Sequence, residues 1–274
     1  MRPMLTSVLL LTFASAGPGQ PAEVDPTGPV EAQPADGART LFPHLRINTQ
    51  ERWLEFDGIV PITVDDPDAP TVYLEQVVCG RESPEIPAGK EHESLVATNA
   101  KGSHIHAGLL LLGLEPGQPV RWSTEEDGSI KAHEPEGPPV RVEFIWTGDD
   151  GTEQKASPQD WIRHESTGER FPDGHWLFAG SLFVDFGAGE VYDADRSGTL
   201  VGLSSFGTEV LSWNTPIHHE SGIAVPVWTA NNDTVPEFKT PVRVRLYVVE
   251  EREQPKPSEP TAPVESDGSA LKPG

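Results

Sequence analysis

Five residues between positions 90 and 106 form the first candidate site, because their side chains can bind metals or transfer protons: Lys90, His92, Glu93, Ser94 and His106. Two histidines and a carboxylate form a familiar zinc ligand set, completed by water or a thiolate. The same residue types also act as general acids and bases. The cluster therefore allows three interpretations: a polar network that holds the fold, a metal or small-ligand site, or an acid–base catalytic site.

Cys79 is the only cysteine of the chain and could join His92, Glu93 and His106 around a divalent transition metal. Their spacing matches no H-E-x-x-H pattern. Glu93 could equally hold a buried, neutral His106 without any metal. A small buried hydrophobic residue is the usual fate of a free cysteine.

A second metal candidate lies between residues 193 and 198. Asp193, Asp195 and Ser197 followed by Gly198 copy the first half of a calcium-binding loop, in which alternate oxygens face the ion. Ser204 stands where such a loop has its bidentate glutamate. Any calcium site here is expected to be weak, and a plain β-turn is the simpler interpretation.

Other catalytic patterns find little support. No G-x-S-x-G elbow surrounds Ser94, and the chain has no phosphate-binding glycine loop or CxxC pair. The two catalytic carboxylates of a glycoside hydrolase are defined by their distance across a cleft, so they cannot be identified among 43 acidic residues from spacing along the chain. The cluster His218-His219-Glu220 either forms an independent loop or approaches the first cluster, and nothing local decides between them.

Period-two alternation of apolar residues predicts that strands position these groups. Residues 140–146 and 242–248 alternate most clearly, as half-buried strands do. The pattern is weaker at 53–56, 71–79, 176–179 and 182–186. Residues 90–96 are expected to continue as a strand, with Lys90, His92 and Ser94 on one face.

One segment, residues 103–112, predicts a helix. Ser103 can cap its start, and Gly113 with the following proline ends it. Leucines surround the helix, which indicates burial on most sides. Residues two apart point about 200° away from each other on a helix. His104 and His106 therefore cannot share a metal there, and His106 is expected to face inward.

These elements predict a β-rich α+β fold of mostly antiparallel sheet with at least one short buried helix at about 103–112. We expect a single domain over 41–249, with a motif-bearing half (41–123) and a second half (124–249). Proline-rich arms at 17–40 and 250–274 are expected to be disordered. Residues 1–16 resemble a secretory signal peptide, and no later segment has the roughly 18 apolar residues of a membrane span.

The net charge of −23 limits the partners of the chain. Such acidity repels nucleic acid and anionic lipid and favours solubility, cations and basic partners. We therefore expect an exported, soluble protein that does not bind nucleic acid and whose partner is an envelope protein, another basic molecule or a small ligand.

Two motifs carry a family resemblance. The run from Lys90 to Leu95 and the helix segment from Ser103 to Gly113 resemble the K-x-H-E-S-L and H-A-x-L-L-L-G signatures of YdjY-like domains of exported bacterial proteins, many of them planctomycete. The resemblance starts near His44 and is clearest up to Gly117, with weaker traces at 176–181 and 192–198. It implies a domain identity and no reaction.

The sequence thus predicts an exported binding or structural module, with a metal or small-ligand site around the motifs. Two alternatives remain. The first is a hydrolase-like or metal-assisted enzyme in which His92 is the acid–base group and Glu93 orients it. The second is an envelope interaction protein in which the motif only holds the fold.

Overall fold

The computed structural model describes residues 37–250, apart from residues 65, 67, 88, 186 and 188. The expected signal peptide (1–16) and most of the two proline-rich arms lie outside the described residues. Within the expected arm of residues 17–40, Arg39 and Thr40 already belong to the first strand.

The described chain is built mainly from short strands. Its elements in chain order are β1 (Arg39–Phe42), β2 (Leu45–Asn48), β3 (Trp53–Ile59), β4 (Gln76–Gly80), a 3-10 turn (Glu91–Glu93), β5 (Ser94–Thr98), α1 (Gly102–Leu111), β6 (Arg121–Thr124), β7 (Ile130–His133), β8 (Pro139–Thr147), β9 (Glu153–Ala156), a 3-10 turn (Pro158–Trp161), β10 (Ile162–His164), β11 (Trp176–Phe178), β12 (Phe183–Asp185), β13 (Glu190–Tyr192), α2 (Asp193–Ser197), β14 (Thr199–Gly202), β15 (Leu211–Trp213), β16 (Trp228–Ala230) and β17 (Pro241–Val248).

Eight strands close into a mixed barrel. Their order is β3-β17-β8-β11-β15-β14-β4-β5, and β5 pairs back with β3. The pairs β14–β15 and β4–β5 are parallel, whereas the other pairs around the ring are antiparallel. The prediction of a β-rich fold is confirmed, and most strand pairs are antiparallel as expected. The sheet nevertheless closes into a mixed barrel, which the sequence interpretation did not include.

Strands outside the ring extend it. β2 and β1 continue from β3, and β9 pairs with β8. Three two-stranded sheets, β6–β7, β10–β16 and β12–β13, complete the described strands. The sequence predicts a strand over residues 71–79, whereas β4 covers only Gln76–Gly80.

The alternating sequence of β8 and β17 explains their position at the barrel wall. In their antiparallel register Val244 lies opposite Phe144 and Leu246 opposite Val142, and all four are buried. Most of the alternate positions are polar, among them Arg141, Glu143, Arg243 and Arg245, as expected for strands with one apolar face. On this polar face of β3 and β17, arginines surround the buried Glu55.

Helix α1 packs tightly on the apolar face of β3. A Cβ atom added to Gly108 would lie 2.5 Å from Leu54 Cδ1, so only glycine permits this approach. Leu110 and Leu111 are 46% and 55% exposed. The helix is confirmed, but the predicted burial on most sides is wrong because the barrel covers one side of the helix.

The start of α1 also differs from the sequence prediction. Lys101 occupies the N-cap position, and Ser103 lies inside the helix. Ser103 donates hydrogen bonds from its backbone N (2.8 Å) and from Oγ (2.6 Å) to the carboxylate of Asp195. Asp195 in α2 therefore caps the helix, because a carboxylate is favoured beside the positive end of the helix dipole.

Candidate functional site

The segment between β4 and β5 forms a tight turn in place of the expected strand. Residues 91–93 make a single 3-10 turn, and the N–H of Glu93 donates to the carbonyl of Lys90 at 3.2 Å. Buried Ser94 donates from Oγ to the same carbonyl at 2.6 Å. Ser94 thus stabilises the turn, and the predicted common face of Lys90, His92 and Ser94 does not form.

This turn brings a lysine between two carboxyl groups. Lys90 Nζ lies 2.9 Å from Glu93 Oε1 and 4.0 Å from Glu75 Oε2. The backbone N–H of Glu75 donates to the carbonyl of Glu93 at 3.0 Å, which fixes the two residues side by side. Glu75, just before β4, was not among the residues expected at the site.

The neighbouring groups change the pKa of Glu75. Burial raises the pKa of Glu75 above its usual value, and the charge of Glu93 raises it further. Lys90 acts in the opposite direction, while a side-chain hydrogen bond to Glu93 favours the protonated form of Glu75. Two close carboxyl groups that cannot both ionise easily are a known arrangement for acid–base chemistry.

His92 lies at the open rim of this arrangement. Its side chain is 77% exposed, and its Nε2 lies 3.7 Å from Glu93 Oε2. This separation is longer than a hydrogen bond. A ligand approaching Glu93 from solvent would therefore meet an imidazole that is free to rotate.

A distant segment of the chain forms the other wall of the site. The ring of Phe206 lies 4.4 Å from Lys90 Nζ, a cation–π contact. His219 stacks on Phe206 with a centroid distance of 5.0 Å, and its charge favours ionisation of Glu75. The late histidine cluster therefore approaches the motif residues, which was the alternative that the sequence left open.

A row of rings continues from this wall. His218 and His219 stack at 4.9 Å with an angle of 11°, and Trp122 lies 4.3 Å from His218. Trp122 donates from Nε1 to the carbonyl of Ser205 at 3.0 Å. The row holds the segments around 122, 206 and 218 together beside the site.

His106 lies elsewhere, against a different set of groups. Its Nδ1 is 2.8 Å from Tyr192 Oη and 3.2 Å from the carbonyl of Gly180. Its ring packs edge-on against Phe178 at 4.9 Å. Burial lowers its pKa and so favours the neutral imidazole. His106 is thus a half-buried structural residue of the α1 interface, and its expected pairing with Glu93 does not occur.

The other predicted metal ligands do not assemble. Cys79 is fully buried, and burial raises its pKa to about 12, which disfavours the thiolate that a metal requires. Within the described residues, no group of three or more histidine, cysteine or acidic side chains is arranged to hold a metal ion. The candidate set of His92, Glu93, His106 and Cys79 is therefore not brought together around a metal position in the described part of the chain.

Residues 193–197, interpreted from the sequence as a plain β-turn or a weak calcium loop, form the short helix α2. Asp193 binds Arg196 through Oδ1 at 3.0 Å, and Asp195 caps α1. Ser197 donates from Oγ to the carbonyl of Asp193 at 2.9 Å. Because these oxygens serve helix contacts, the alternating arrangement around an ion does not form.

The structure is thus a closed, mixed β-barrel. A polar turn (Glu91–Glu93) directly precedes β5, and helix α1 packs against the barrel wall. The YdjY domain family matches residues 59–247, so the chain belongs to this family. The resemblance seen in the two motifs is thereby confirmed. No curated protein and no solved structure matches the chain. Among the described residues, no helix is long and apolar enough to cross a membrane.

Proposed function

We propose that this chain is an exported binding module whose ligand contacts the polar cluster, defined as Glu75, Lys90, His92, Glu93 and His219. The observation that carries the proposal is the pair of neighbouring carboxyl groups of Glu75 and Glu93, held beside a lysine and two imidazoles. Ionisable groups brought together in this way are stable only when they are paired or when they bind something. The rim position of His92 leaves the cluster open to a ligand.

The chemistry of the cluster favours a polar ligand with a basic group. Lys90 forms an ion pair with Glu93 Oε1, whereas Glu93 Oε2 lies nearer the exposed His92. Glu75 and the nearby Glu220 add negative charge around a single lysine, in a chain with 43 acidic and 20 basic residues. An ammonium or guanidinium group would therefore be attracted to Glu93 Oε2.

Binding can be tested with a defined panel of basic probes. Spermidine, arginine and a tetralysine peptide are titrated into the protein by calorimetry at low salt, and His92→Ala and Glu93→Gln are compared with wild type. His133→Ala is the matched control, because this exposed histidine lies on β7 outside the cluster. Binding that is weakened in both cluster variants and kept in the control supports the proposal. Equal binding in all four proteins contradicts it.

Acid–base catalysis is the second candidate, and the raised pKa of Glu75 beside Glu93 is the observation that favours it. A carboxylic acid that stays protonated next to a carboxylate can donate a proton to a leaving group. In the related form of this hypothesis, His92 exchanges the proton and Glu93 orients the ring. Hydrolysis of nitrophenyl esters or glycosides that is lost in Glu75→Gln and in Glu93→Gln would support an enzyme.

The third interpretation, an envelope interaction protein, gives a different result. The cluster is then part of the architecture, and Glu93→Gln lowers the free energy of unfolding while every probe behaves as with wild type. Partners would in that case be sought on other surfaces of the protein.

A further inference from the structure

A cleft of about 350 Å³ lies away from the polar cluster, between β8 and the segment that leads into β11. Its volume is within the range of small-molecule sites. Its lining comes from three segments: β8, the turn around 157–159, and residues 170–176. The charged and aromatic side chains of the lining are Arg141, Glu143, Arg170, Asp173, His175 and Trp176.

The floor of the cleft is apolar and rigid. Val142 and Trp176 line it, and both side chains are almost completely buried. The indole N–H of Trp176 donates to the carbonyl of Gly202 at 2.8 Å, which fixes the ring in the barrel wall. Because this ring is only 1% exposed, it offers little face on which a sugar could stack.

The rim carries both signs of charge in equal number. Arg141 and Arg170 are opposed by Glu143 and Asp173. Arg170 is tied down by Asp173 at 2.6 Å and by further contacts to its neighbours. A charge-balanced cleft is unusual in a chain of net charge −23. It would attract neither a simple anion nor a simple cation strongly.

Two rim groups keep capacity for a ligand. Arg141 donates from Nη1 to Glu143 at 3.2 Å, and in the described part of the chain its other guanidinium nitrogens make no hydrogen bond. Asp173 receives Arg170 on Oδ1 and is otherwise exposed. An arginine that can bind a carboxylate and an aspartate that can bind an ammonium group thus border the same cleft.

A buried nitrogen in the lining is also without a partner. Among the described residues, nothing forms a hydrogen bond with Nδ1 of His175. Buried polar atoms are rarely left in this state, because the lost hydrogen bond to water is not replaced. A guest or water entering from the cleft would remove this penalty.

We propose that the cleft binds a small zwitterion of the amino-acid type. Its carboxylate pairs with Arg141 and its ammonium group pairs with Asp173, while the rest of the molecule lies in the cleft. This ligand matches the balanced charges of the rim. The inference is independent of the polar cluster and of the function proposed for it.

The test uses L-phenylalanine and two capped forms of it, N-acetylphenylalanine and phenylalanine amide, with glucose as a neutral comparison. Binding to the full protein is measured by saturation-transfer NMR and calorimetry. We expect saturable binding of L-phenylalanine, weakened at least tenfold by either cap and by Arg141→Gln or Asp173→Asn. Arg121→Gln removes an exposed arginine outside the cleft and should leave the affinity unchanged.

The outcomes separate the alternatives clearly. Absence of saturable L-phenylalanine binding to folded wild-type protein overturns the proposal. Binding that survives both Arg141→Gln and Asp173→Asn, or tighter binding of glucose, also overturns it. His92→Ala should bind L-phenylalanine as wild type does, so failure of this inference is distinguishable from failure of the polar cluster.

Discussion

Replacing Glu93 by glutamine should destabilise the protein, whereas the same replacement at Glu75 should not. In Glu93→Gln, Lys90 loses the carboxylate that lies 2.9 Å from its Nζ. In Glu75→Gln, the new amide can donate to Glu93 in the same way as the protonated carboxyl does, and Lys90 keeps its closer partner. We therefore expect Glu93→Gln to lower the free energy of unfolding and Glu75→Gln to preserve it.

The size of the expected stability loss follows from how exposed the Lys90–Glu93 ion pair is. The side chains of Lys90 and Glu93 are 21% and 17% exposed, so water screens them less than a surface pair. Hydrogen bonds to charged groups contribute about 1.5–3 kcal/mol, and exposed ion pairs contribute about 0–1 kcal/mol. We expect a loss of about 1–2 kcal/mol for Glu93→Gln and a change within about 0.5 kcal/mol for Glu75→Gln near neutral pH.

The dependence on pH provides a second, independent readout. The folded pKa of Glu75 is raised above its unfolded value, so its favourable contribution is fully present below the unfolded pKa. That contribution is lost as the pH rises through the folded pKa. Glu75→Gln cannot ionise, and its stability relative to wild type should therefore increase across this rise.

Urea unfolding of wild type and both variants, followed by tryptophan fluorescence at several pH values from 4 to about 8, measures these differences. His133→Ala serves again as the control. If Glu75→Gln loses as much stability as Glu93→Gln, or if its stability relative to wild type falls with rising pH, Glu75 is not held in its protonated form beside the Lys90–Glu93 ion pair.

Further substitutions test other parts of the structure by urea unfolding. Gly108→Ala should destabilise the protein, because overpacking against Leu54 (about 1–3 kcal/mol) exceeds the helix preference for alanine (about 1 kcal/mol); a stabilised variant would contradict the close approach of α1. Glu55→Gln should lose about 3 kcal/mol, since it breaks a buried ionic network. The pKa of Glu55 is lowered, so its contribution is present above the unfolded pKa and is lost as the pH falls through the folded value. Burial raises the pKa of Glu209, so the stability of Glu209→Gln relative to wild type should increase as the pH rises. Stabilities of the two proteins that change in parallel with pH would contradict this.

The strands with clear alternation could be predicted from the sequence, because a half-buried strand leaves its pattern in a few consecutive residues. Closure of the barrel leaves no such local pattern. It depends on two paired positions, Gly58 with Thr98 and Ile59 with Ala97, which lie 40 and 38 residues apart along the chain. At this seam a Cβ on Gly58 would lie 2.5 Å from Val96 Cγ1. The sequence shows this glycine but not the strand that it must approach.

The same limit applies to the polar cluster. Lys90 and Glu93 were recognisable because they lie in one motif, whereas Glu75, Phe206 and His219 reach them only through the closed sheet and its loops. Nothing in the local sequence around Glu75 distinguishes it from the other acidic residues. Half of the site is therefore a property of the tertiary fold.

The separation of His92 from His106 follows from the strand that lies between them. The sequence interpretation treated residues 90–106 as one cluster. β5 occupies positions 94–98, and a strand rises about 3.3 Å per residue, so its ends are more than about 12 Å apart. His92 precedes β5 and helix α1 follows it, which places the two histidines toward opposite ends of the strand. Two parts of one motif thus perform separate tasks: the first forms an open polar cluster, and the second anchors a helix to Tyr192 and the barrel.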